Sequence, residues 1–170
     1  DQAGFLCPIA DLWKQEVYAL AQYYNESVFQ QEVIPKETFE VMPSAELSSE
    51  QNVLEGKGDP LIYPYHDHLF RSWLEHWERK TPEECLKAYL ENRLDALIGC
   101  EPGLTQKLFP TKKEFISDLE RWWKSYQETG TFKRIQSPPI IAISPRSFGF
   151  DYRDFIGKSI YTKEYEELKK

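Results

Sequence analysis

Residues 81–99 have the sequence TPEECLKAYLENRLDALIG, and they carry the start and stop signals of one amphipathic helix. Thr81 is an N-cap residue, Pro82 occupies the first helical position, and Glu84 completes a capping box. Leucine and tyrosine side chains follow at three- and four-residue intervals, which makes one face apolar. Gly99 is the expected C-terminal stop. The stretch therefore predicts a core helix that extends from Pro82 to just before Gly99.

The same signals predict further helices on both sides of this one. Apolar periodicity indicates a helix over about 9–31, and Asp67 is the expected N-cap of a helix over 67–79. Thr111 and Glu114 form a second capping box ahead of a helix that ends at Gly130, and a short charged helix covers 162–169. We predict a mainly α chain with a four-helix-type domain.

The last part of the chain has a different pattern. Residues 131–161 contain short β-like runs, which predict a small C-terminal β-hairpin or extended element, with an α+β fold as the alternative. Residues 36–65 are predicted to be a long acidic loop containing proline and glycine, of the kind that is usually functional or flexible. All 170 residues are expected to form a single domain, 1–170.

The net charge of −7 is distributed unevenly along the chain. Residues 1–60 carry 11 acidic and 3 basic side chains, whereas residues 105–170 carry 9 acidic and 13 basic ones. The chain is acidic on average, but its last third is basic. This asymmetry predicts that the two ends of the chain meet different partners.

The lengths of the apolar runs and the number of cysteines indicate where in the cell the protein is located. No apolar run approaches the roughly 20 residues of a membrane-spanning helix, so we expect no contact with a membrane. The three cysteines are an odd number without C-x-x-C spacing, which favours reduced thiols over a disulfide framework. We expect an intracellular, cytoplasmic protein. Cys85, in a first helical turn beside two glutamates, is expected to be a small buried residue and not a nucleophile.

All three histidines lie within eleven residues: His66, His68 and His76. Imidazole groups with a nearby carboxylate suit zinc, iron or manganese, so these residues are a candidate divalent-metal site. The spacing lacks the His-Glu-x-x-His pattern of zinc proteases. The alternative is that His66 and His68 only form hydrogen bonds at the start of a helix. We expect no cofactor, and a divalent metal ion bound by these histidines is the alternative.

Basic and aromatic side chains are interleaved in the last third of the chain. Such a combination is typical of surfaces that bind a partner or a single-stranded nucleic acid. The candidate binding residues are Lys112, Lys113, Arg121, Lys124, Lys133, Arg134, Arg146 and Arg153. Six acidic residues are interspersed among these basic residues. The alternative is that the basic side chains only lie on solvent-exposed outer faces and bind nothing.

No set of residues in the sequence has the types and spacing of a known catalytic group. We therefore favour a protein without enzymatic activity over an enzyme. The leading hypothesis is a non-enzymatic interaction or adaptor module that docks on a larger protein or nucleoprotein assembly through its C-terminal third. A winged-helix-like nucleic-acid-binding module is the first alternative. A metal-dependent hydrolase or nuclease that uses the three histidines is the second. A protein partner is expected, and nucleic acid is a possible one.

Overall fold

A computed structural model of the chain describes residues 8–9, 11–44, 51–75, 79–129 and 160–170. The regular elements in these ranges are α1 (Lys14–Tyr23), α2 (Glu37–Glu40), α3 (Tyr63–Leu74), α4 (Pro82–Leu90), α5 (Leu94–Ile98), α6 (Leu104–Leu108), α7 (Lys112–Lys124) and α8 (Lys163–Lys169). Two π-helical turns follow α1 and α7, at Tyr24–Val28 and Ser125–Thr129, and Val53–Glu55 forms a 3₁₀ turn. The described ranges contain no strand, so the prediction of a mainly helical chain is confirmed.

The chain divides into two compact units, and the boundary falls inside α3. The small unit is Leu12–Asp67, and the large unit combines Asp1–Asp11 with His68–Lys170. The β-like element was predicted over 131–161, and residues 131–159 of it lie outside the described residues. Among the described helices, none combines the length and the apolar character that a bilayer crossing requires.

Both predicted capping boxes are present. The Thr81 hydroxyl accepts a hydrogen bond from the N–H of Glu84 at 3.3 Å, and the Glu84 carboxylate accepts one from the N–H of Thr81 at 2.9 Å. Thr111 and Glu114 repeat this exchange at 3.3 and 3.0 Å at the start of α7. Each box satisfies two N–H groups that the helix itself leaves without partners. These two helix starts are therefore predicted correctly.

We expect Thr111→Ala to lower the free energy of unfolding by about 1 kcal/mol, the usual cost of losing an N-cap. The matched control is Ser117→Ala, on an exposed position of the same helix, which should change it by less than about 0.5 kcal/mol. Chemical denaturation followed by circular dichroism measures both values. Equal values for the two variants would show that the box does not stabilise α7.

The predicted helix over 82–98 is interrupted in the structure. Asn92 has φ +54°, in the left-handed region that Asn tolerates better than most residues, and α4 ends just before it. A new helix, α5, begins at Leu94 and ends at Gly99, whose φ is +80°. Gly99 is thus the predicted stop, but of a second, shorter helix. The apolar spacing continues across the break, which is why periodicity alone predicted one helix.

The start of α3 also differs from the prediction. Asp67 was the expected N-cap, but the helix already begins at Tyr63, and Asp67 lies one turn inside it. The Asp67 carboxylate accepts a hydrogen bond at 2.9 Å from the N–H of Gln15, in the first turn of α1. Asp67 does cap a helix, therefore, but one that is 52 residues away in the sequence.

The core of the large unit is built from α4, α5 and α7. The rings of Tyr89 and Phe115 stack with centroids 4.2 Å apart, and the Tyr89 hydroxyl donates to the carbonyl of Phe109 at 2.7 Å. A second aromatic cluster joins the end of α3 to the end of α7 through Phe70, Trp73, Trp122, Trp123 and Tyr126. The aromatic residues of α3 and α7 are therefore part of the packing of this unit.

The predicted C-terminal helix is present as α8, and it packs on α4. Tyr165 is completely buried, and its hydroxyl donates to the Glu120 carboxylate of α7 at 3.2 Å. Lys169 donates to the same carboxylate at 2.5 Å, while Thr162 donates to Glu83 of α4. These contacts hold a helix of only seven residues in place.

A single carboxylate organises the turn between α5 and α6. Asp95 accepts hydrogen bonds from the N–H of Gly103 at 2.7 Å and of Thr105 at 3.0 Å, and from the thiol of Cys100 at 3.3 Å. Partial burial alone would raise the pKa of Asp95, but the bonds from Thr105, Cys100 and Gly103 outweigh it and hold the pKa below its ordinary value. Asp95 thus caps α6 from the preceding helix.

Candidate functional site

A hydrogen-bonded polar cluster lies in the small unit just before α3. The carboxylate of Asp59 accepts from the side-chain amide of Gln51 at 2.9 Å and from the hydroxyl of Tyr63 at 2.7 Å. The Ser44 hydroxyl donates to the carbonyl of Gln51 at 2.6 Å. We call these four residues, Ser44, Gln51, Asp59 and Tyr63, the Asp59 cluster. It fixes the part of the predicted loop 36–65 that leads into α3.

A glycine allows the chain to approach itself closely beside this cluster. The N–H of Asp59 donates to the carbonyl of Pro43 at 2.7 Å. A Cβ at Gly58 would lie only 2.8 Å from that carbonyl oxygen, nearer than real Cβ atoms come. The two sides of the loop therefore depend on Gly58 to bring Asp59 into position.

Tyr63 is a stable hydrogen-bond donor in this cluster. Burial, the hydrogen bond to Asp59 and the negative charges of Asp59 and Asp67 all raise the pKa of Tyr63 well above its ordinary value. Its hydroxyl stays protonated at any physiological pH.

A second group of side chains, aromatic and cationic, lies in the same unit as the Asp59 cluster. The ammonium of Lys14 lies 5.0 Å from the ring centroid of Tyr18, and the ring of Phe39 lies 6.3 Å from that of Tyr18. Tyr18 also contributes, as the smallest of the electrostatic causes, to the raised pKa of Tyr63, which indicates that the two residues lie in the same region of the small unit. All three side chains are half-buried. We call the Asp59 cluster together with Lys14, Tyr18 and Phe39 the combined site. It offers a cation, three aromatic rings, a carboxylate and an amide.

Helix stability does not explain a lysine at position 14. Lys14 is the first residue of α1, where the positive end of the helix dipole opposes a cation. The start of α1 is stabilised instead by carboxylates: Glu16 accepts from the N–H of Trp13 at 3.0 Å, and Asp67 accepts from Gln15. Lys14 is thus held on a rigid helix end at a position that its own helix does not favour.

The predicted metal-binding histidines are not brought together by the described structure. His66 and His68 are both in α3, where two residues turn the side chain by about 200°. Nδ1 of His66 accepts a hydrogen bond from the N–H of Ile62 at 2.7 Å, and this nitrogen is therefore committed to the fold. His76 lies outside the described residues. Within the described ranges, no group of three potential ligands is arranged to hold a metal ion.

The predicted basic surface is described only in part. Lys133, Arg134, Arg146 and Arg153 lie outside the described residues. Lys113, Arg121 and Lys124 are exposed in α7 and share a face about 80° wide, with the guanidinium of Arg121 4.9 Å from the ring centroid of Trp122. Lys112 is used differently, since it donates to the carbonyl of Leu168 in α8 at 3.1 Å. Three of the four described cations are thus together.

Comparison with known proteins identifies the family. The family model of NAD synthase matches residues 1–96, which is more than half of the chain and includes the whole small unit. The chain belongs to the NAD synthase family. It is 29% identical over 153 residues to the glutamine-dependent NAD(+) synthetase of Thermotoga maritima, an alignment that covers 90% of this chain and 21% of the relative. No solved structure matches the chain.

Membership in the NAD synthase family corrects the functional prediction. The family is one of enzymes, so the non-enzymatic adaptor module is wrong, as are its alternatives, a nucleic-acid-binding module and a metal-dependent hydrolase. The adaptor hypothesis rested on the lack of a catalytic constellation in the sequence, on the long acidic loop and on the many aromatic side chains. In the structure, Trp73, Trp122, Trp123 and Tyr126 pack on one another inside the large unit.

The sequence interpretation missed the residues of the combined site. Ser44, Gln51 and Asp59 lie in a segment of the sequence without periodicity, and Tyr63 begins α3. Lys14 and Phe39 are distant from them in the sequence. The one available signal was the length of the loop 36–65 between two helices, because long loops in compact proteins are often functional. That signal indicates a region but selects no side chain within it.

Proposed function

We propose that the chain is a segment of an NAD synthetase and that its small unit binds a nucleotide, either ATP or an NAD-like dinucleotide. The family match supports this proposal, because it covers the small unit completely. The observation that carries it is the combined site, because the small unit holds a cation stacked on the ring of Tyr18 together with a hydrogen-bonded carboxylate at Asp59.

Each group of the combined site suits one part of a nucleotide. The rings of Tyr18 and Phe39 provide apolar faces for a base. The ammonium of Lys14 is a compact cation of the kind that binds phosphate. The Asp59 carboxylate can accept hydrogen bonds from ribose hydroxyls, as acidic residues do in other nucleotide sites.

The described thiols do not fit a role in releasing nitrogen from glutamine. Burial raises the pKa of Cys85 to about 12, and burial together with the bond to Asp95 raises the pKa of Cys100 to about 12. A thiol attacks as the thiolate, and both thiols stay protonated near neutral pH. We therefore assign any glutamine-hydrolysing step to a part of the synthetase beyond the described residues. The two free thiols also support our proposal of an intracellular location.

The test measures the binding of ATP and of NAD+ separately to the 170-residue chain by isothermal titration calorimetry. We expect saturable binding of at least one of them, and we expect Lys14→Met to weaken it about tenfold because a charged hydrogen bond to phosphate is lost. The matched control is Lys57→Met in the same unit, where the lysine is exposed and paired with Glu55. It should leave the dissociation constant within about twofold.

Two results would contradict the proposal. One is that neither nucleotide binds at millimolar concentration to a chain that circular dichroism shows to be folded. The other is that Lys14→Met and Lys57→Met weaken binding equally, because that would indicate a general charge effect and not a contact in the combined site.

A further inference from the structure

Five large apolar side chains of the small unit are exposed within one short stretch of its sequence. Each has between 41% and 57% of its surface exposed, and they follow one another over eleven residues around the π-helical turn: Tyr23, Tyr24, Val28, Phe29 and Val33. We call this set the apolar ridge. The rings of Tyr24 and Phe29 stack with centroids 5.9 Å apart, and Tyr23 meets Tyr24 edge to face. A contiguous patch of this kind marks an interaction site, whereas isolated exposed apolar residues do not.

A buried asparagine holds the backbone of the ridge. The side-chain oxygen of Asn25 accepts from the N–H groups of Val33 and Ile34, both at 2.9 Å, and its amide donates to the carbonyl of Ile34 at 2.7 Å. The end of the ridge is thereby tied to its beginning across a turn in which Gln30 has φ +53°. The ridge is formed before any partner arrives, which lowers the entropy cost of covering it.

The charge of the small unit argues against a second copy of this chain as the partner that binds the apolar ridge. Leu12–Asp67 contains 10 acidic and 3 basic residues, and Glu26 and Glu32 lie within the ridge sequence itself. Pairing two such surfaces would bring like charges together around the apolar contact. The partner that fits has an apolar patch with a basic rim.

We propose that the apolar ridge docks on the remaining part of an NAD synthetase, that is, on the polypeptide that lies outside the aligned segment. This inference rests on the proposed function. It is supported by the length of the relative, because the match leaves most of that protein uncovered, while the ridge lies inside the segment that the family shares. The exposed ridge is then an internal surface of the complete enzyme.

The test places this chain in the Thermotoga maritima synthetase instead of the aligned segment and compares this chimera with the isolated chain by hydroxyl-radical footprinting. We expect the labelling of Tyr23 and Tyr24 to fall at least fivefold in the chimera, measured relative to Ile160, which is exposed and lies outside the family match. Phe29→Lys should restore the labelling in the chimera and leave the unfolding temperature of the isolated chain unchanged. The matched control is Leu54→Lys, at a 96% exposed position of the same unit, which should leave both the labelling in the chimera and the unfolding temperature unchanged.

Three outcomes would overturn the proposal. The first is equal labelling of both tyrosines in the chimera and in the isolated chain. The second is a dimer of the isolated chain in analytical ultracentrifugation that Phe29→Lys dissociates, because the cover would then be a second copy. The third is an insoluble chimera when the parent synthetase is soluble. Nucleotide binding by the isolated chain does not involve the ridge, so failure of the docking proposal and failure of the proposed function give different results.

Discussion

Replacing Tyr165 with alanine is expected to lower the free energy of unfolding by about 3–5 kcal/mol, the range for truncating a fully buried aromatic side chain. The Tyr165 ring is completely buried, and it stacks on Tyr161 with centroids 4.7 Å apart. An isolated helix of seven residues is unstable in water, so α8 depends on this anchor. Chemical denaturation measures the loss, and limited proteolysis should cleave the C-terminus of the variant faster.

Tyr165→Phe is the matched control for this prediction. It keeps the ring and removes only the hydrogen bond from the hydroxyl to Glu120, so we expect a loss of about 1 kcal/mol. If Tyr165→Ala cost no more than Tyr165→Phe, packing of the ring would not be what holds α8 in place, and the contacts of Lys169 and Thr162 would be sufficient.

Asp95→Ala is expected to lower the free energy of unfolding by about 3 kcal/mol. The substitution leaves the N–H groups of Gly103 and Thr105 without their acceptor and removes charge-assisted hydrogen bonds from the start of α6. Asp95→Asn retains one acceptor oxygen and should lose about half as much. Urea denaturation at neutral pH measures both variants, and a loss below about 0.5 kcal/mol for Asp95→Ala would contradict the role of this carboxylate.

The pH dependence gives a second readout of the same carboxylate. Its pKa is lower in the folded chain than the ordinary Asp value of about 3.9, so the folded state favours the charged form. This stabilisation is complete above the unfolded pKa and is lost as the pH falls through the folded pKa. Between about pH 5 and pH 3 the wild-type chain should therefore lose more stability than Asp95→Asn does. Parallel curves for the two proteins would contradict this expectation.

The elements predicted correctly from the sequence are those whose signals are local. Thr81 with Glu84, and Thr111 with Glu114, are three residues apart, so the capping hydrogen bonds can be inferred before any folding is known. Tertiary capping has no such signal. Asp67 reaches Gln15 across 52 residues, and the same carboxylate was therefore assigned to the start of its own helix.

The candidate site was harder to predict than the helices for the same physical reason. The position of His66 relative to His68 depends on whether the chain there is extended or helical, and the start of α3 at Tyr63 changes that relation. The polar contacts of Asp59 depend on a close backbone approach at Gly58. Neither property follows from residue spacing, although the length of the segment 36–65 did indicate a functional region.

The aromatic cluster of the large unit has a consequence for spectroscopy. Four of the five tryptophans belong to that unit, and the small unit contains only Trp13 beside five tyrosines. Tryptophan emission therefore reports mainly the large unit, whereas tyrosine absorbance reports both units, because each contains five of the ten tyrosines. Recording both signals in one titration shows whether the two units melt together or in sequence, and hence whether a single free energy describes the chain.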